Sequence, residues 1–316
     1  MTRTSRLSSV RVHERSVTAR APGKVNLALH VGPRDADGYH PLVTVFQAVS
    51  LVEEVTATGA PSFSVEVSGP GAEHVPLDDS NLALRAAHAL AEHTGVRLGA
   101  RLSVTKGIPV AGGMAGGSAD AAATLVALDA LWGTALTRPE LLSVAATLGA
   151  DVPFCLQGHT AVGVGRGDVL TAAMAQGEFH WVFALRAAGL STPDVFRRFD
   201  ERGSAATELP AEADAALMTA LRAGDAVRLG QSLSNDLQAA ALDLAPDLVA
   251  TCEVARAAGA LGVVVSGSGP TVAALARSAG HATSIADALT AARVCASAVC
   301  ASGPVAGARV VQEHQG

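Results

Sequence analysis

The stretch Pro109-Val-Ala-Gly-Gly-Met-Ala-Gly-Gly-Ser-Ala-Asp-Ala-Ala-Ala123 decides how the rest of the chain is read. Four glycines (Gly112, Gly113, Gly116 and Gly117) fall within six positions, between a short alternating segment at 101–105 and an Ala-rich run that reads as a helix over 117–132. Glycine lets the backbone turn tightly and bring its N–H groups close to a ligand, while the following helix turns its positive end toward the same point. Such a strand–glycine–helix sequence forms an anion cradle, with phosphate the first candidate; a flexible turn would use the same residues. No G-x-x-x-x-G-K-[ST] and no G-x-G-x-x-G occurs, so neither a Walker A loop nor a dinucleotide fingerprint is present. Ser118 offers a hydroxyl to a phosphate or to the shell of a Mg2+ ion, or else caps the helix. Asp120 is expected in the first helical turn, where it would complement the helix dipole.

Outward from the loop, residues 16–31 alternate around a Pro-Gly break and predict a strand, followed by a polar loop at 32–41. The β-branched runs 42–58 and 63–68 predict further strands. Ser80 and Asn81 predict an N-cap for a helix that stops near Gly95, and a second helix is predicted over 138–148, opened by Pro139 and closed by Gly149. The second half predicts a strand at 181–185, helices near 192–201, 211–222, 225–233 and 247–258, strands at 260–265 and 271–276, and a helix over 282–292. Strands and helices mix without strict βαβ alternation, which indicates an α+β fold. The Gly- and Ala-rich stretch at 186–192 is the expected boundary, giving an extension (1–15), an N-terminal domain (16–187) and a C-terminal domain (188–316).

The chain has 316 residues, 49% hydrophobic and 16% charged, with 7 Phe, 2 Trp and a single tyrosine, Tyr39. So few rings leave the core to aliphatic residues and alanine. The net charge of −6, without basic runs interleaved with aromatics, argues against disorder and against a nucleic-acid-binding face. Cys155, Cys252, Cys295 and Cys300 form no C-x-x-C pair, so neither a zinc site nor a disulfide framework is supported, and reduced thiols are expected. No stretch is apolar and long enough to predict a membrane span. The Arg- and Ser-rich first twenty residues read as an extension or a transit segment, and a cytoplasmic protein is expected.

Two further glycine clusters stand out. Gly149-Ala-Asp151-Val-Pro-Phe places one acid in a tight loop between a helix and a strand, where a cap or turn residue would also be at home. Ser266-Gly-Ser-Gly-Pro270 ends a strand and can present more backbone N–H groups to an anion, or simply turn a hairpin. Gly163-Val-Gly-Arg-Gly-Asp168 reads as a turn.

Together with Ala21-Pro-Gly-Lys24-Val-Asn26-Leu27, the glycine loop and Val265-Ser-Gly-Ser-Gly-Pro270 make the chain resemble the GHMP kinases, in matching order over about 17–312. Arg34-Asp-Ala-Asp-Gly38-Tyr39-His40 and the Asp151 segment are similar to the branch of that superfamily that phosphorylates a CDP-linked sugar alcohol. The chain departs from the family's usual G-L-G-G-G-S-S with Gly113-Met-Ala-Gly-Gly-Ser-Ala119, losing one glycine and one hydroxyl. The resemblance implies a two-domain fold: an N-terminal ribosomal-protein-S5-like α/β domain and a C-terminal α+β sandwich domain.

The resemblance further implies ATP and Mg2+ as cofactors and CDP-linked methylerythritol as the small-molecule substrate, with no metal ligand assigned. Asp151 is the implied base and Lys24 its partner, although alone Lys24 would read as a surface lysine. ATP phosphates are implied at Pro109, Val110, Ala111, Gly112, Gly113, Met114, Ala115, Gly116, Gly117, Ser118 and Ala119. Asn26 steadies Lys24 or the substrate, Tyr39 stacks on cytosine, His40 bonds its polar edge, Phe196 supplies a second ring, and His159 contacts the substrate. Asn26 could equally be a strand-end amide and Phe196 a core ring. No nucleic acid or membrane partner is expected, and the chain is expected to be a monomer or weak homodimer. The alternatives are a kinase of another small alcohol, such as homoserine or mevalonate, and a catalytically silent ligand-binding homologue.

Overall fold

The computed structural model describes residues 15–110, 112–203, 209–210 and 213–314. Strands β1 (Ser16–Val31), β2 (Leu42–Ala60) and β3 (Ser64–Ser68) lead to α1 (Leu82–Thr94) and β4 (Gly99–Thr105). The glycine loop and α2 (Gly116–Trp132) follow, then α3 (Arg138–Leu148), the short α4 (Val152–Gln157), a hairpin of β5 (Thr160–Gly165) and β6 (Val169–Ala172), and β7 (Phe179–Leu185). Next come α5 (Thr192–Glu201), α6 (Ala215–Ala223), α7 (Ala226–Gln231), β8 (Ser234–Asn235), α8 (Gln238–Leu244) and α9 (Asp247–Ala257). The chain ends with β9 (Gly262–Val265), β10 (Val272–Ala276), α10 (Ala279–Ala291), β11 (Ser297–Gly303) and β12 (Arg309–His314).

The fold is α+β. One sheet has eight strands, ordered β12-β1-β2-β4-β3 with β5 on β2, β6 on β5 and β8 on β1; the other has four, ordered β11-β7-β10-β9. β1 runs unbroken through Pro22-Gly23, because register shifts on either side of that pair absorb the mismatch with β2. Asn81 caps α1 by accepting from the Ala83 N–H, and Gly95 closes it in the left-handed region. Thr137 and Glu140 form a reciprocal capping box at the start of α3. Where the sequence predicts only a turn at 163–168, β5 and β6 form a hairpin around it. The loop expected after Asp151 is instead the start of α4. The chain crosses between sheets on either side of the expected 187/188 boundary: β7 lies in the four-stranded sheet, and β12 returns to pair antiparallel with β1. Among the described residues no helix is long and apolar enough to cross a membrane.

The shortage of rings is met in two ways. Helix α2 buries Ala119, Ala121, Ala122, Ala123 and Ala127 against β1 and β2, and small side chains let it approach the sheet closely. The large rings gather at the junction: Phe179, Trp181 and Phe183 alternate on one face of β7 and enter the core of the eight-stranded sheet, while Val182 and Ala184 face the helices of the second half. Cys155 and Cys252 are buried free thiols, whereas Cys295 is half-buried and Cys300 exposed.

Trp181 joins the two sheets by a single polar bond, its indole Nε1 donating to Gln47 Oε1 of β2 at 3.0 Å in a dry interior. Trp181→Phe leaves that oxygen without a partner. A buried unsatisfied acceptor costs about 1–3 kcal/mol, a loss that urea denaturation will register as a lower unfolding free energy.

Candidate functional site

Lys24 and Asn26 share one face of β1, and the register shifts at Pro22/Gly23 and Asn26/Ala28 bracket them. Such bulges re-aim side chains. Here they direct an ammonium group inward, leaving Lys24 only 5% exposed. Its Nζ donates to Asn26 Oδ1 at 2.7 Å and lies 3.8 Å from Asp151 Oδ2 and 5.6 Å from the Phe46 ring centre. The Asn26 amide is fixed in turn, donating to Thr44 Oγ1 at 2.9 Å, which donates to the Ala28 carbonyl at 2.8 Å. That chain keeps the amide oxygen aimed at Lys24. Asp151 occupies the N-cap position of α4, yet its carboxylate caps nothing and stays one-third exposed. The simple capping role is therefore ruled out for its side chain.

The glycine loop meets this pair from the other side. The Lys24 N–H donates to the Met114 carbonyl at 3.2 Å, while the Met114 side chain is buried in the core. Gly113 is left-handed, and a Cβ there would lie 2.8 Å from the Gly269 carbonyl oxygen and 3.0 Å from that of Ser266. A Cβ at Gly267 would sit 3.3 Å from both Lys24 Nζ and Asn26 Oδ1. The three segments singled out in the sequence thus converge on one ammonium group. Ala115 precedes α2 in a left-handed conformation without capping it by a side chain, so the first N–H groups of α2 remain for a ligand. Pro109, Val110 and residues 112–117 line a cavity of about 290 Å³ with His74, Val75, Pro76, Lys106 and Asp120. Ser118 is half-buried in the first turn of α2, the Ala119 methyl faces the core, and Ala111 lies outside the described residues.

Asp120 does not complement the dipole. It sits beyond the first turn of α2, and Lys106 Nζ lies 2.6 Å from its Oδ2 and 2.8 Å from Glu53 Oε1. All three groups are buried. Glu53 Oε2 accepts from the Gly107 N–H at 2.9 Å, while Asp120 Oδ1 has no partner among the described residues. Burial, then the neighbouring Asp120 charge, pushes the Glu53 carboxyl up to about 7, and burial pushes Asp120 up to about 6; Lys106 opposes both shifts. Sequence reading missed Glu53 and Lys106. The available signal was a pair of acids, Glu53 and Glu54, inside an otherwise apolar strand run and a lysine three residues before Pro109.

A second cavity, about 630 Å³, holds the Tyr39 region and reaches Ala150, the residue before Asp151. Asp35 shapes the loop: its Oδ1 accepts from the N–H groups of Asp37 and Tyr39, and Gly38 turns in the left-handed region. Tyr39 is 53% exposed, with the Arg166 guanidinium carbon 3.8 Å from its ring centre. His40 is buried. Its Nδ1 donates to the Gly32 carbonyl at 2.8 Å, its Nε2 faces Asp200 Oδ1 at 3.1 Å, and its ring stacks on Phe196 at 5.3 Å. Nδ1 is therefore committed to the Gly32 carbonyl, while Nε2, close to the Asp200 carboxylate, makes no hydrogen bond among the described residues. Phe196 is half-buried on the cavity wall, and the ring that serves the core is Phe199. Arg166 was read only as part of a turn.

His159 is not brought to this site. It is exposed, has a left-handed backbone, and lines a separate cavity of about 310 Å³ with Gln157, Met174 and Pro304. Asn235 was also missed; its Nδ2 donates to the Val265 and Gly267 carbonyls at 2.7 and 2.8 Å and so fixes the third glycine segment.

Residues 81–159 match the GHMP kinases N terminal domain and residues 217–294 the GHMP kinases C terminal family. The chain is a GHMP kinase, an ATP-dependent enzyme. A relative from Thermobifida fusca (strain YX), a 4-diphosphocytidyl-2-C-methyl-D-erythritol kinase, is 57% identical over 304 residues, covering 94% of this chain and 98% of the relative. A crystal structure of 4-(cytidine 5'-diphospho)-2C-methyl-D-erythritol kinase superposes with a TM-score of 0.73 at 35% identity, covering 90% of this chain and 98% of that one. The chain belongs to the 4-diphosphocytidyl-2-C-methyl-D-erythritol kinase family. A homoserine kinase structure from Cytophaga hutchinsonii, 20% identical with a TM-score of 0.71 over 98% of this chain and all of its own, shares the fold.

The buried triad makes stability depend on pH. With its carboxyl raised from the ordinary 4.5 to about 7, Glu53 holds a proton in the folded state that the unfolded chain releases earlier, so stability falls as pH rises through that window. Urea denaturation series across this range will show a shallower decline for Glu53→Gln than for the wild type.

Proposed function

We propose that the chain transfers the terminal phosphoryl group of ATP to the 2-hydroxyl of 4-diphosphocytidyl-2-C-methyl-D-erythritol, in the non-mevalonate route to isoprenoid precursors. The observation that carries this reading is the Lys24–Asp151 pair, 3.8 Å apart, between the glycine loop and the Tyr39 cavity. Phosphoryl transfer asks the protein for in-line positioning, charge neutralisation and a place for the alcohol proton. Asp151, uncapped and partly open, takes the proton as the new O–P bond forms. Lys24 offsets negative charge that builds on the transferring group.

ATP fits the inner cavity. Gly113 leaves no room for a Cβ, and the unspent N–H groups at the start of α2 offer the phosphates a ready-made cradle. Residues 109–119 hold the phosphates mainly through their backbone. Among the described residues no group of three His, Cys, Asp or Glu side chains could hold a metal ion, so Mg2+ would take most of its oxygen ligands from the nucleotide, with the Ser118 hydroxyl as the protein's contribution. When bound, the ion neutralises phosphate charge.

At the outer end we assign Tyr39 and Phe196 as the rings that receive the cytosine, with His40 as the fixed wall behind Phe196 and Asn26 as the residue that orients Lys24. Nucleotide and catalysis fall to 16–187, and the second wall of the substrate cavity to α5 within 188–316. A kinase of homoserine or mevalonate would have no use for a stacking seat.

Asp151→Asn is expected to lower kcat by about 10²–10⁴-fold while ATP binding persists in calorimetry. Base stacking is worth about 1–3 kcal/mol, so Tyr39→Ala should raise KM for the CDP-alcohol several-fold or more and largely spare kcat. The deciding assay supplies ATP and Mg2+ with the CDP-alcohol, homoserine or mevalonate in turn. Phosphorylation of an uncytidylated alcohol alone overturns the proposal.

A further inference from the structure

The outer cavity carries more positive charge than its own walls neutralise. Arg34, His40, Arg166, Arg197 and Asp200 are its charged or titratable side chains. Asp200 is taken up by His40 at 3.1 Å, and Arg197 by Asp194 at 2.9 Å. The guanidinium groups of Arg34 and Arg166 form no ion pair among the described residues, although both are held in place; the one carboxylate bonded by Arg166, that of Asp168, is met by its backbone N–H.

How they are held matters. Arg34 spends only its Nε, which donates to the Gly38 carbonyl at 2.8 Å, and its guanidinium lies so close to Gly38 that a Cβ there would touch it at 3.5 Å. Arg166 sits at the tip of the β5–β6 hairpin between two left-handed glycines, Gly165 and Gly167, and spends only its flat face, 3.8 Å from the Tyr39 ring centre. A guanidinium stacked on a ring keeps its in-plane N–H donors free at the edge. Both arginines therefore present unspent terminal N–H groups beside the same cavity, pre-set by contacts that leave those donors available. Free, planar donor forks suit phosphate oxygens, which they can bind in pairs.

We propose that Arg34 and Arg166 form the seat for the substrate's diphosphate, and that this seat selects a nucleoside-diphosphate-linked alcohol over a free alcohol or a bare nucleoside. The inference rests on the reading that a base stacks at Tyr39. It adds what that reading leaves open: how the linker between the base and the reacting hydroxyl is recognised. The two guanidinium charges match the two negative charges of a diphosphate diester. Tyr39, both arginines and Ala150, which leads into Asp151, line the same cavity. Arg197 adds no free charge, because Asp194 pairs with it.

The test is calorimetric titration of the full chain with cytidine, CMP and CDP, using the wild type, Arg34→Ala and Arg166→Ala. Circular dichroism and urea midpoints serve as folding controls. Charge-assisted hydrogen bonds are worth enough that each variant should lose about tenfold or more in CDP affinity, while cytidine affinity changes by less than about twofold. CMP should fall between them, and the salt dependence of CDP binding should flatten in both variants. Equal losses for cytidine and CDP would mean that the arginines merely prop the loop and the tyrosine ring, and would overturn the proposal. So would retained CDP affinity in either variant. A wild type that binds cytidine while the variants keep CDP removes the diphosphate seat alone; a wild type that binds neither removes the base-stacking reading and this inference with it.

Discussion

A lysine ammonium group taken out of water is tolerated only when opposite charge and hydrogen bonds meet it, because the desolvation cost is several kcal/mol per ion. Lys24 is such a group, and the arrangement of the site follows from satisfying it. Asn26 accepts its proton, Asp151 supplies the counter-charge, and the Thr44 hydroxyl orients the amide between them. Its own backbone N–H ties the glycine loop to β1 through Met114. The third glycine segment can approach only because position 267 lacks a side chain. Segments far apart in sequence are thereby pinned to one atom on a strand flanked by both β2 and β12.

The glycine loop has little with which to anchor itself, since residues chosen for backbone freedom bring few side-chain contacts. Its anchors come from outside and are charged. On one side stands Lys24. On the other, Glu53 holds the Gly107 N–H, and its Oε1 would lie 3.1 Å from a Cβ at Gly116, while Lys106 ties Glu53 to Asp120 on α2. Burying two carboxylates against one ammonium is a poor route to stability, and the raised Glu53 carboxyl reflects that burden. Such a cluster is better understood as fixing where a strand, a loop and a helix meet. The Asp120 Oδ1 atom has no hydrogen-bond partner among the described residues, and Asp120 lines the cavity beside the glycine loop.

What could be read in the sequence, and what could not, follows from how each feature is encoded. The glycine segments were legible because backbone approach to an anion demands one residue type at fixed spacing, and three such segments in order are rarely coincidental. The strand through Pro22-Gly23, the Asn81 cap and the Pro139-opened helix were legible for similar local reasons. Glu53, Lys106 and Asn235 were not, because a charged or amide residue gains its meaning from partners distant in sequence. Asp120 was misread since its helix begins at Gly116, which puts it past the first turn and within reach of Lys106. Arg166 was hidden by its own hairpin: the glycines that flank it announce a turn, and only the fold shows the turn folded over Tyr39. His159 stands close to Asp151 in sequence, but α4 intervenes and carries it to another face.

The two ends of the site are built from different materials, and that difference bears on what the fold can vary. The inner cavity is lined largely by backbone, by residues that a side chain would displace, and it leans on an alanine-faced helix packed tightly on the sheet. Changing its shape would mean moving elements of the core. The outer cavity is lined mainly by side chains from loops, from one hairpin tip and from one face of α5, and only Leu42 and Phe196 among its apolar residues also pack against the core. A homoserine kinase at 20% identity keeps the same fold. The only tyrosine in the chain lies at the outer cavity, half in solvent, whereas Phe46, Phe154, Phe179, Trp181, Phe183 and Phe199 are buried. A ring left exposed where so few are available is better explained by a ligand that covers it than by any packing requirement of the fold.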